Sequence, residues 1–412
     1  MPYAPDSPRS PWRARSRILG TVRREAVHRI SRTKRRAAPT WARCLVAVGA
    51  VLMMLSGGTL VTVRVLLNSA THAIPQRSLL GGAQDGAQRQ HAQITGAKNI
   101  LLVGLDTRPG WAGSGQLSRS DSILLLHIPA DRSGGYLISL PRDSYVHIPA
   151  YDNGAQRYPG GENKINSAFA FGSRGLTGSQ AESHGFELLA LTVKNLTGIT
   201  PDAGAIIDFS GFTEVMKVLG KVCMYVDENV TSIHVGHTAD GRQAVPYKTD
   251  GAGLHPRKVP GVTANFYAKG NHCFTPTEAL DYARQRDLLA KGDSDYGRQR
   301  HQQQLLKAIM KQAVHAGMTS PTKLPGLLSA IGKAMTVDSG GIPVEDWAFA
   351  MKGINPDKLV TLKTNGGKFN SRRVAGIGSV EVLDSTSMAL LAAARQNTIA
   401  SFVATNPTLV AG

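Results

Sequence analysis

The sequence predicts an α/β fold, with a mixed, largely antiparallel central sheet flanked by helices, behind an N-terminal single-pass transmembrane helix. Three observations lead to this prediction. A run of 20 residues without a charged side chain extends from Cys44 to Val63. Three apolar segments with short connections lie between residues 99 and 143. After them, strand-like and helix-like segments alternate, which is typical of α/β proteins.

The uncharged run is long enough to cross a bilayer, because ~20 residues at a rise of ~1.5 Å span a hydrocarbon core of ~30 Å. Arg43 and Arg64 border it. Residues 1–43 carry 12 Lys and Arg residues against Asp6 and Glu25, in a chain of net charge +18. The positive-inside rule therefore predicts a cell-membrane protein whose C-terminal domain is extracytoplasmic. A cleaved signal peptide is the alternative, although the preceding 43 residues are long for one.

These features divide the chain into four parts. Residues 1–43 form a basic tail, predicted to be cytoplasmic and disordered, and residues 44–64 form the transmembrane helix. Residues 65–97, rich in Gly and Gln, are predicted to be an extracytoplasmic stalk, and residues 98–412 the globular domain. Membrane topology already explains the charge of the tail, and the tail has few aromatic residues. We therefore expect no nucleic-acid partner.

The first elements of the domain are short apolar strands. They are predicted at residues 99–106 (NILLVGLD), 122–128 (SILLLHI) and 135–143 (GYLISLPRD), with a short fourth strand at 145–149. Pro141 stops the third strand because proline cannot donate to a sheet ladder. Short connections favour an antiparallel meander for the first three strands.

Helices and strands then alternate along the chain. Helices are predicted at 186–196 and from Phe212, with strands at about 204–208 and 221–226. Thr275 opens another helix, in which Pro276 suits the first position and Glu278 completes a capping box. A further helix begins near Asp295 or Tyr296, KLVTLKT is predicted to be a strand, and residues 381–404 are predicted to form a last helix.

Charged residues collect at one end of the predicted meander. Asp106 ends the first strand and Asp121 begins the second, so the two carboxylates would be neighbours. Arg142 and Asp143 follow the third strand at the same edge, and Arg119 precedes the second. Mg²⁺ is commonly held by one or two carboxylates together with phosphate oxygens, and arginine suits phosphate. The group therefore indicates a metal and phosphate site, with a surface salt-bridge cluster as the alternative.

A second basic cluster lies near residues 284–302. Arg284 and Arg286 share a face only if the helix ends near Arg284 and the chain continues extended. Arg298 and Gln302 are four residues apart, on one face of the next helix. Arg284, Arg286, Arg298 and Arg300 could together surround a diphosphate. A solvated basic face is the alternative. No nucleotide-binding loop is present to explain the cluster.

Two cysteines, Cys223 and Cys273, lie in the predicted extracytoplasmic part, 50 residues apart. An oxidising compartment permits a disulfide between them. Two buried thiols are the alternative, because the sequence does not give their separation.

Seven motifs in this order resemble the LytR-CpsA-Psr family of cell-envelope glycopolymer phosphotransferases. They are GLDTR (104–108), RSDS (119–122), SLPRD (139–143), KINSAFAFG (164–172), IDFSGF (207–212), ALDYARQR (279–286) and DYGRQRHQQ (295–303). The resemblance covers about residues 98–315 and extends to the C-terminal remainder. It implies transfer of a glycopolymer from a polyprenyl pyrophosphate carrier onto a sugar hydroxyl of peptidoglycan.

The resemblance also implies roles for individual residues. Metal-binding aspartates fall on Asp106 and Asp121, with Mg²⁺ (or Mn²⁺) as the expected ion, and Asp295 matches an aspartate with a proposed catalytic part. The expected pyrophosphate-binding residues are Arg119, Arg142, Lys164, Arg284, Arg286, Arg298 and Gln302. Asp295 or Asp143 is expected to take the proton of the acceptor hydroxyl, beside Arg142.

Two departures from the family pattern affect the second cluster. The spacing from Arg284 to Arg298 is about two residues longer than usual, and His301 stands where an arginine is common. The alternatives to an enzyme are a non-catalytic lipid- or wall-binding module and an envelope-stress transcriptional attenuator.

Overall fold

The computed structural model describes residues 76–83, 94–105, 118–249, 255–319, 332, 334–342, 347 and 354–411. The predicted tail and transmembrane helix (1–64) lie outside the described residues, and so does Asp106. Within the described part of the chain, no helix is long and apolar enough to span a bilayer. All the described residues belong to one compact unit.

The strands are short and distributed along the described chain. They are β1 Lys98–Leu105, β2 Ser120–Ile128, β3 Gly135–Leu140, β4 Tyr145–Ile148, β5 Tyr151–Asp152, β6 Arg157–Tyr158, β7 Gly161–Lys164, β8 Ala203–Asp208, β9 Val222–Val226, β10 Val230–Thr238, β11 Gln243–Ala244, β12 Tyr247–Lys248, β13 Arg257–Lys258, β14 Val262–Tyr267, β15 Gly270–Phe274, β16 Met335–Asp338, β17 Leu359–Lys363, β18 Ser371–Val374 and β19 Gly378–Glu381.

The helices lie mainly between the strands of the central sheet. They are α1 Asn166–Gly172, α2 Gly178–Thr197, α3 Phe209–Leu219, α4 Pro276–Arg284, α5 Ser294–Thr319, α6 Ser385–Arg395 and α7 Ile399–Thr405, with 3₁₀ turns at Gly81–Ala83, Pro356–Lys358, Thr364–Gly367 and Pro407–Leu409. The predicted capping box is confirmed, since Thr275 and Glu278 each accept a hydrogen bond from the other's backbone N–H.

The central sheet has six strands in the order β16-β8-β1-β2-β3-β17. The predicted meander is confirmed, because β2 pairs antiparallel with both β1 and β3. β16 is antiparallel to β8, whereas β8 pairs parallel with β1 and β17 parallel with β3. The sheet is therefore mixed and largely antiparallel, as predicted.

The sheet is covered on both faces. On one face, alternate residues of β1 such as Leu101 and Val103 join a buried cluster with residues of α1, α2 and α6, for example Phe169, Phe186 and Leu390. On the other face, Leu124 and Leu126 of β2 form a second cluster that α5 contacts. The alternation along β1 and β2 thus sends side chains into two cores, which makes the sheet the middle layer.

The predicted stalk is wrong for residues 76–83, which pack into the domain. Leu79 and Leu80 are fully buried, and their backbone N–H groups donate to the Asp338 carboxylate at 2.7 and 2.9 Å. Gln76 bridges to β16 at Val337. Two adjacent leucines within a polar segment do not by themselves predict that the segment is buried. The segment is held in the core by Asp338, which lies more than 250 residues away in the sequence.

The prediction of one helix over residues 381–404 is also wrong. The segment forms the end of β19 and two helices, α6 and α7. Asn397 adopts a left-handed φ of 56°, and the N–H of Thr398 donates to the carbonyl of Ala393 at 2.9 Å, which ends α6. The Asn397 side chain lies 3.2 Å from the buried ring of His127, so a contact with β2 holds the break in place.

Cys223 and Cys273 lie opposite each other on the antiparallel pair β9 and β15 and are joined by a disulfide. Both residues are exposed, so the alternative of two buried thiols does not describe them. The cross-link closes a loop of 50 residues, which includes β10 to β14.

Replacing both cysteines by alanine should lower the free energy of unfolding by about 2–4 kcal/mol, because the cross-link restricts the unfolded chain. Urea denaturation of the double variant would measure the change. Reduced wild-type protein serves as the control and should lose the same amount, since the exposed disulfide packs against little else. Equal stability of the oxidised wild-type protein and the variant would contradict the prediction.

Candidate functional site

A cavity with a volume of about 600 Å³ lies between the second face of the sheet and helices α3, α4 and α5. Most of its walls are apolar. The apolar lining includes Leu102, Leu124, Phe212, Val215, Ile233, Leu280, Leu305, Leu306 and Ile309. Its polar lining includes Asp121, Arg142, Arg284, Arg286, Arg298 and Gln302, which combine residues of both basic clusters. The structure therefore brings the two predicted clusters together at one cavity.

Asp121 reaches the cavity through an irregularity in the sheet. Gly104 pairs with Ser122 and Leu105 with Ser120, so Asp121 is an extra residue in a β-bulge. A Cβ atom on Gly104 would lie 3.0 Å from the Cβ of Ser122, which explains the glycine at this close crossing. Asp106, the predicted metal partner of Asp121, lies outside the described residues.

Arg142 follows β3 in the turn before β4. Its Nη1 donates to Oδ1 of Asp121 at 3.0 Å, and its Nε lies 3.5 Å from Asp295 and 3.7 Å from Asp143. Burial disfavours the charge, but Asp295, Asp121 and Asp143 together raise the pKa of the Arg142 guanidinium. Arg142 therefore stays charged with three carboxylates around it.

Asp295 occupies the first turn of α5, between two arginines. Arg298 Nη2 lies 2.7 Å from its carboxylate, and Gln299 donates to it at 3.1 Å. Burial opposes ionisation, but Arg298 and Arg142 outweigh it and hold the pKa of Asp295 below its usual value. Burial lowers the pKa of Arg298, yet a guanidinium remains protonated at neutral pH. The Arg142–Asp295–Arg298 arrangement is thus a fully ionised, largely buried triad.

Arg284 and Arg286 converge because α4 ends at Arg284, which is the condition under which the two residues share a face. Helix α4 stops at Arg284, and Gln285 is extended with φ −69° and ψ 129°. Both arginines line the cavity, as expected for two residues on the same side of an extended segment. Gln302 on α5 also lines it and donates to the carbonyl of Ala283 at 3.3 Å, which ties α5 to the end of α4.

A buried aspartate inside the helix holds this end of α4. Asp281 accepts hydrogen bonds from the Tyr267 hydroxyl at 2.7 Å, from Ser232 at 2.9 Å and from the Gln285 amide at 2.7 Å. Gln285 in turn accepts from the backbone N–H of Ile233 at 3.0 Å. Burial raises the pKa of Asp281. The network fixes Gln285, which lies between Arg284 and Arg286. Asp281 and Gln285 therefore position the two arginines, although neither residue lines the cavity.

Some predicted residues lie elsewhere. Arg119 is exposed just before β2 and is not part of the cavity lining. Lys164 pairs with Asp143 at 2.9 Å, and both residues line a smaller neighbouring cavity. The expectation that Arg300 helps to surround a diphosphate is wrong. Its guanidinium is bound by Asp227, Glu228 and Asp293 on the far side of α5.

His301, the departure from the family pattern, is a core residue. It is fully buried, its ring stacks on Tyr282 at 4.3 Å between centroids, and Nε2 lies 3.1 Å from Glu228. Burial lowers the pKa of His301, so the ring is neutral at pH 7. Asp227, Glu228 and His301 are close enough to hold an ion, but Arg300 already occupies both carboxylates. We interpret this group as an ion-pair network that anchors α5.

Asp208 is a cavity residue that the sequence does not single out. It ends β8 directly beside Leu105 of β1, and its Oδ1 accepts from Gly211 N at 2.7 Å to cap α3. An aspartate before a helix usually predicts only a cap. Its place at the site follows from the parallel pairing of β8 with β1, which local patterns do not reveal.

The cavity combines an apolar compartment with a charged part that presents four arginines and three aspartates, Asp121, Asp208 and Asp287. Such a shape suits an amphiphile whose long apolar part fills the compartment and whose anionic group meets the arginines. A surface salt-bridge cluster does not describe it, because Arg298 is only 8% exposed and Arg142 only 19%.

Comparison with known proteins places these features in a family. The model of the LytR_cpsA_psr family matches residues 66–394. The cell wall biosynthesis protein LcpA of Corynebacterium glutamicum is 28% identical over 332 residues, which are 75% of this chain and 56% of that protein. The chain thus spans little more than half the length of this relative.

A second relative is the polyisoprenyl-teichoic acid–peptidoglycan teichoic acid transferase TagU of Oceanobacillus iheyensis. It is 26% identical over 338 residues, which are 81% of this chain and 82% of that protein. Among solved structures, protein gbs0355 of Streptococcus agalactiae matches with a TM-score of 0.53 and 20% identity, covering 74% of this chain and 88% of that one. This likeness shows a shared fold.

Replacing Asp281 by alanine should destabilise the domain by about 2–4 kcal/mol, because it leaves the buried Tyr267 hydroxyl without its acceptor and removes one of the hydrogen bonds that hold Gln285. Chemical denaturation followed by circular dichroism would measure this. Asp240→Ala is a matched control, since Asp240 is exposed at a turn and should change stability by less than about 0.5 kcal/mol. Equal effects of the two substitutions would argue against the positioning network.

Proposed function

The chain belongs to the LytR-CpsA-Psr family, and we propose that it transfers a glycopolymer from a polyprenyl pyrophosphate carrier to a sugar hydroxyl of peptidoglycan. The observation that carries this proposal is the cavity of about 600 Å³, whose walls are apolar and whose one end presents four arginines. The names of LcpA, a cell wall biosynthesis protein, and of TagU, which acts on a polyisoprenyl-linked polymer and peptidoglycan, support it.

The two parts of the cavity suit the two parts of such a donor. The polyprenyl chain would lie among the apolar side chains of α3, α4 and α5, where its burial is favourable by about 25 cal/mol per Å². The diphosphate would lie at Arg142, Arg284, Arg286 and Arg298. Planar guanidinium groups bind phosphate oxygens in pairs, which fixes orientation as well as charge.

The reaction is a phosphoryl transfer. The oxygen of the acceptor hydroxyl forms a bond to the sugar-linked phosphorus, and the bond from that phosphorus to the bridging oxygen breaks. Polyprenyl phosphate leaves with the electron pair of the broken bond, and the hydroxyl proton passes to Asp295 or Asp143 and then to water. The arginines stabilise charge that builds up on the phosphate oxygens in the transition state.

Charge balance supports a divalent cation. The described groups that line the two cavities comprise five cations (Arg142, Lys164, Arg284, Arg286 and Arg298) and six carboxylates (Asp121, Asp143, Asp208, Asp287, Asp295 and Glu381). A diphosphate diester brings two further negative charges, which Mg²⁺ or Mn²⁺ would compensate. We propose that Asp121, together with Asp106, holds the ion, which would neutralise phosphate oxygens.

The proposed location is the outer face of the cell membrane. A helix at residues 44–64 would anchor the domain there, near lipid-linked donors and peptidoglycan. A transferase can use the ionised Asp295 between Arg142 and Arg298 to accept the proton of the acceptor hydroxyl, a role that a purely lipid- or wall-binding module does not require.

Arg142→Ala should lower the rate of transfer by roughly 10²-fold or more, because a charge that stabilises the transition state is lost. Arg284→Lys should rescue Arg284→Ala poorly, since lysine keeps the charge but loses the planar fork. The measurement is transfer from a synthetic polyprenyl pyrophosphate donor, with folding checked by circular dichroism. Arg242→Ala is the control, because Arg242 is 81% exposed and lies outside the cavity. Near-normal transfer by folded Arg142→Ala protein would refute the assignment.

The pH dependence of transfer tests the state of Asp295. Its pKa lies below the usual value, so the carboxylate should stay ionised as pH falls, and the rate should change little between pH 8 and about pH 5. The contribution of the ionised Asp295 to the free energy of unfolding should be fully present at pH values above its unfolded-state pKa of ~3.9. It should be lost as the pH falls through the lower folded-state pKa. A rate of transfer that already falls as the pH is lowered below 7 would show that a group other than Asp295 controls the pH dependence.

A further inference from the structure

A second, smaller cavity of about 150 Å³ lies against the same charged triad. Asp143, Lys164 and Asp295 line it, whereas Arg142, which contacts both carboxylates, lines the large cavity. The side chain of Arg142 therefore stands between the two cavities. A group bound in the small one would meet the diphosphate from the side opposite the apolar compartment.

The small cavity is polar without an excess of positive charge. The carboxylates of Asp143, Asp295 and Glu381 face it together with one cation, Lys164. Glu381 is 6% exposed and accepts from Asn370 N at 2.9 Å. Such a lining accepts hydrogen bonds from neutral hydroxyl groups and would repel a further phosphate.

An independent feature points to a ligand at this place. Gln299 on α5 lines the small cavity, and only 7% of its surface is exposed. Its Nε2 donates to Asp295. Its Oε1 has no hydrogen-bond partner among the described residues. Buried amide oxygens are almost always paired, so this acceptor is available for a hydroxyl or amide of a bound molecule.

The rim of the cavity supplies an aromatic surface. Phe369 is 52% exposed and meets Tyr296 edge-on at 5.2 Å between centroids, and both residues line the cavity. Ser371 and Ser379, from strands β18 and β19, complete the rim with hydroxyl groups. A half-exposed ring beside carboxylates, hydroxyls and an amide is suited to a sugar, which has apolar ring faces and polar edges.

We propose that the small cavity is the acceptor site, and that it binds a neutral amino-sugar unit of the glycan strand. This inference rests on the proposed function. The acceptor hydroxyl would lie at Asp295 and Asp143, so that its oxygen attacks past Arg142 on the sugar-linked phosphorus. The bond to the lipid phosphate breaks, polyprenyl phosphate leaves, and the proton goes to one of the two carboxylates.

The test uses the full-length protein in detergent, a synthetic polyprenyl diphosphate that carries a disaccharide, and uncross-linked peptidoglycan oligomers as acceptor. Phe369→Ala should raise the KM for the acceptor roughly tenfold, while kcat and the donor Kd change by less than about twofold. Ser379→Leu adds bulk at the rim and should raise the same KM. Phe266→Ala is the matched control, because Phe266 is 57% exposed on β14 and lines neither cavity.

The outcomes separate this inference from the proposed function. Unchanged acceptor KM in both rim variants, with active wild-type protein, overturns the acceptor site and leaves the transferase proposal standing. An equal loss of donor affinity in Phe369→Ala also overturns it, because the rim would then belong to the donor site. Wild-type protein that neither binds nor consumes the donor would remove the proposed function and the acceptor site with it.

Discussion

The largely buried carboxylate of Asp295 is the group on which the site depends. It lies between Arg142, from the turn after β3, and Arg298 on its own helix. Arg298 also donates to the backbone carbonyl of Asp121 at 3.0 Å, so the first turn of α5 is tied to the bulge in β2. Without the carboxylate, two largely buried guanidinium groups would face each other in a medium of low dielectric, which is costly. One anion thus joins two strand ends to the helix that forms the cavity wall.

The other elements make this arrangement possible. The meander brings the turn after β3 and the start of β2 to one edge of the sheet, and α5 crosses that edge with its first turn. Helix α4 contributes two arginines because it stops at Arg284 and because Asp281 and Gln285 hold the extended residue that follows. On the far side of α5, the pairs of Arg300 with Asp227 and Glu228 anchor the same helix to the segment after β9. Cationic side chains of α5 therefore serve the site on one face and the fold on the other.

Local patterns in the sequence were sufficient where neighbours along the chain decide the structure. The meander follows from short connections, and the start of α4 follows from a capping box. Features that depend on distant partners were not predictable. The parallel pairing of β8 with β1 brings Asp208 to the cavity, and Asp338 draws Leu79 and Leu80 into the core. Arg300 was assigned to the wrong face because its partners, Asp227 and Glu228, lie some 70 residues away in sequence.

Some buried polar atoms at the two cavities have no hydrogen-bond partner within the protein. Among the described residues they include Arg298 Nε, Gln299 Oε1 and Gln302 Oε1, and further such atoms belong to the Arg300 network on the far side of α5. Such atoms are rare in folded proteins, because each one costs about 1–3 kcal/mol when water is removed and nothing replaces it. The three atoms at the cavities belong to residues that line them, Arg298 and Gln302 in the large cavity and Gln299 in the small one. Their positions make them available to the phosphates and hydroxyls of the proposed substrates.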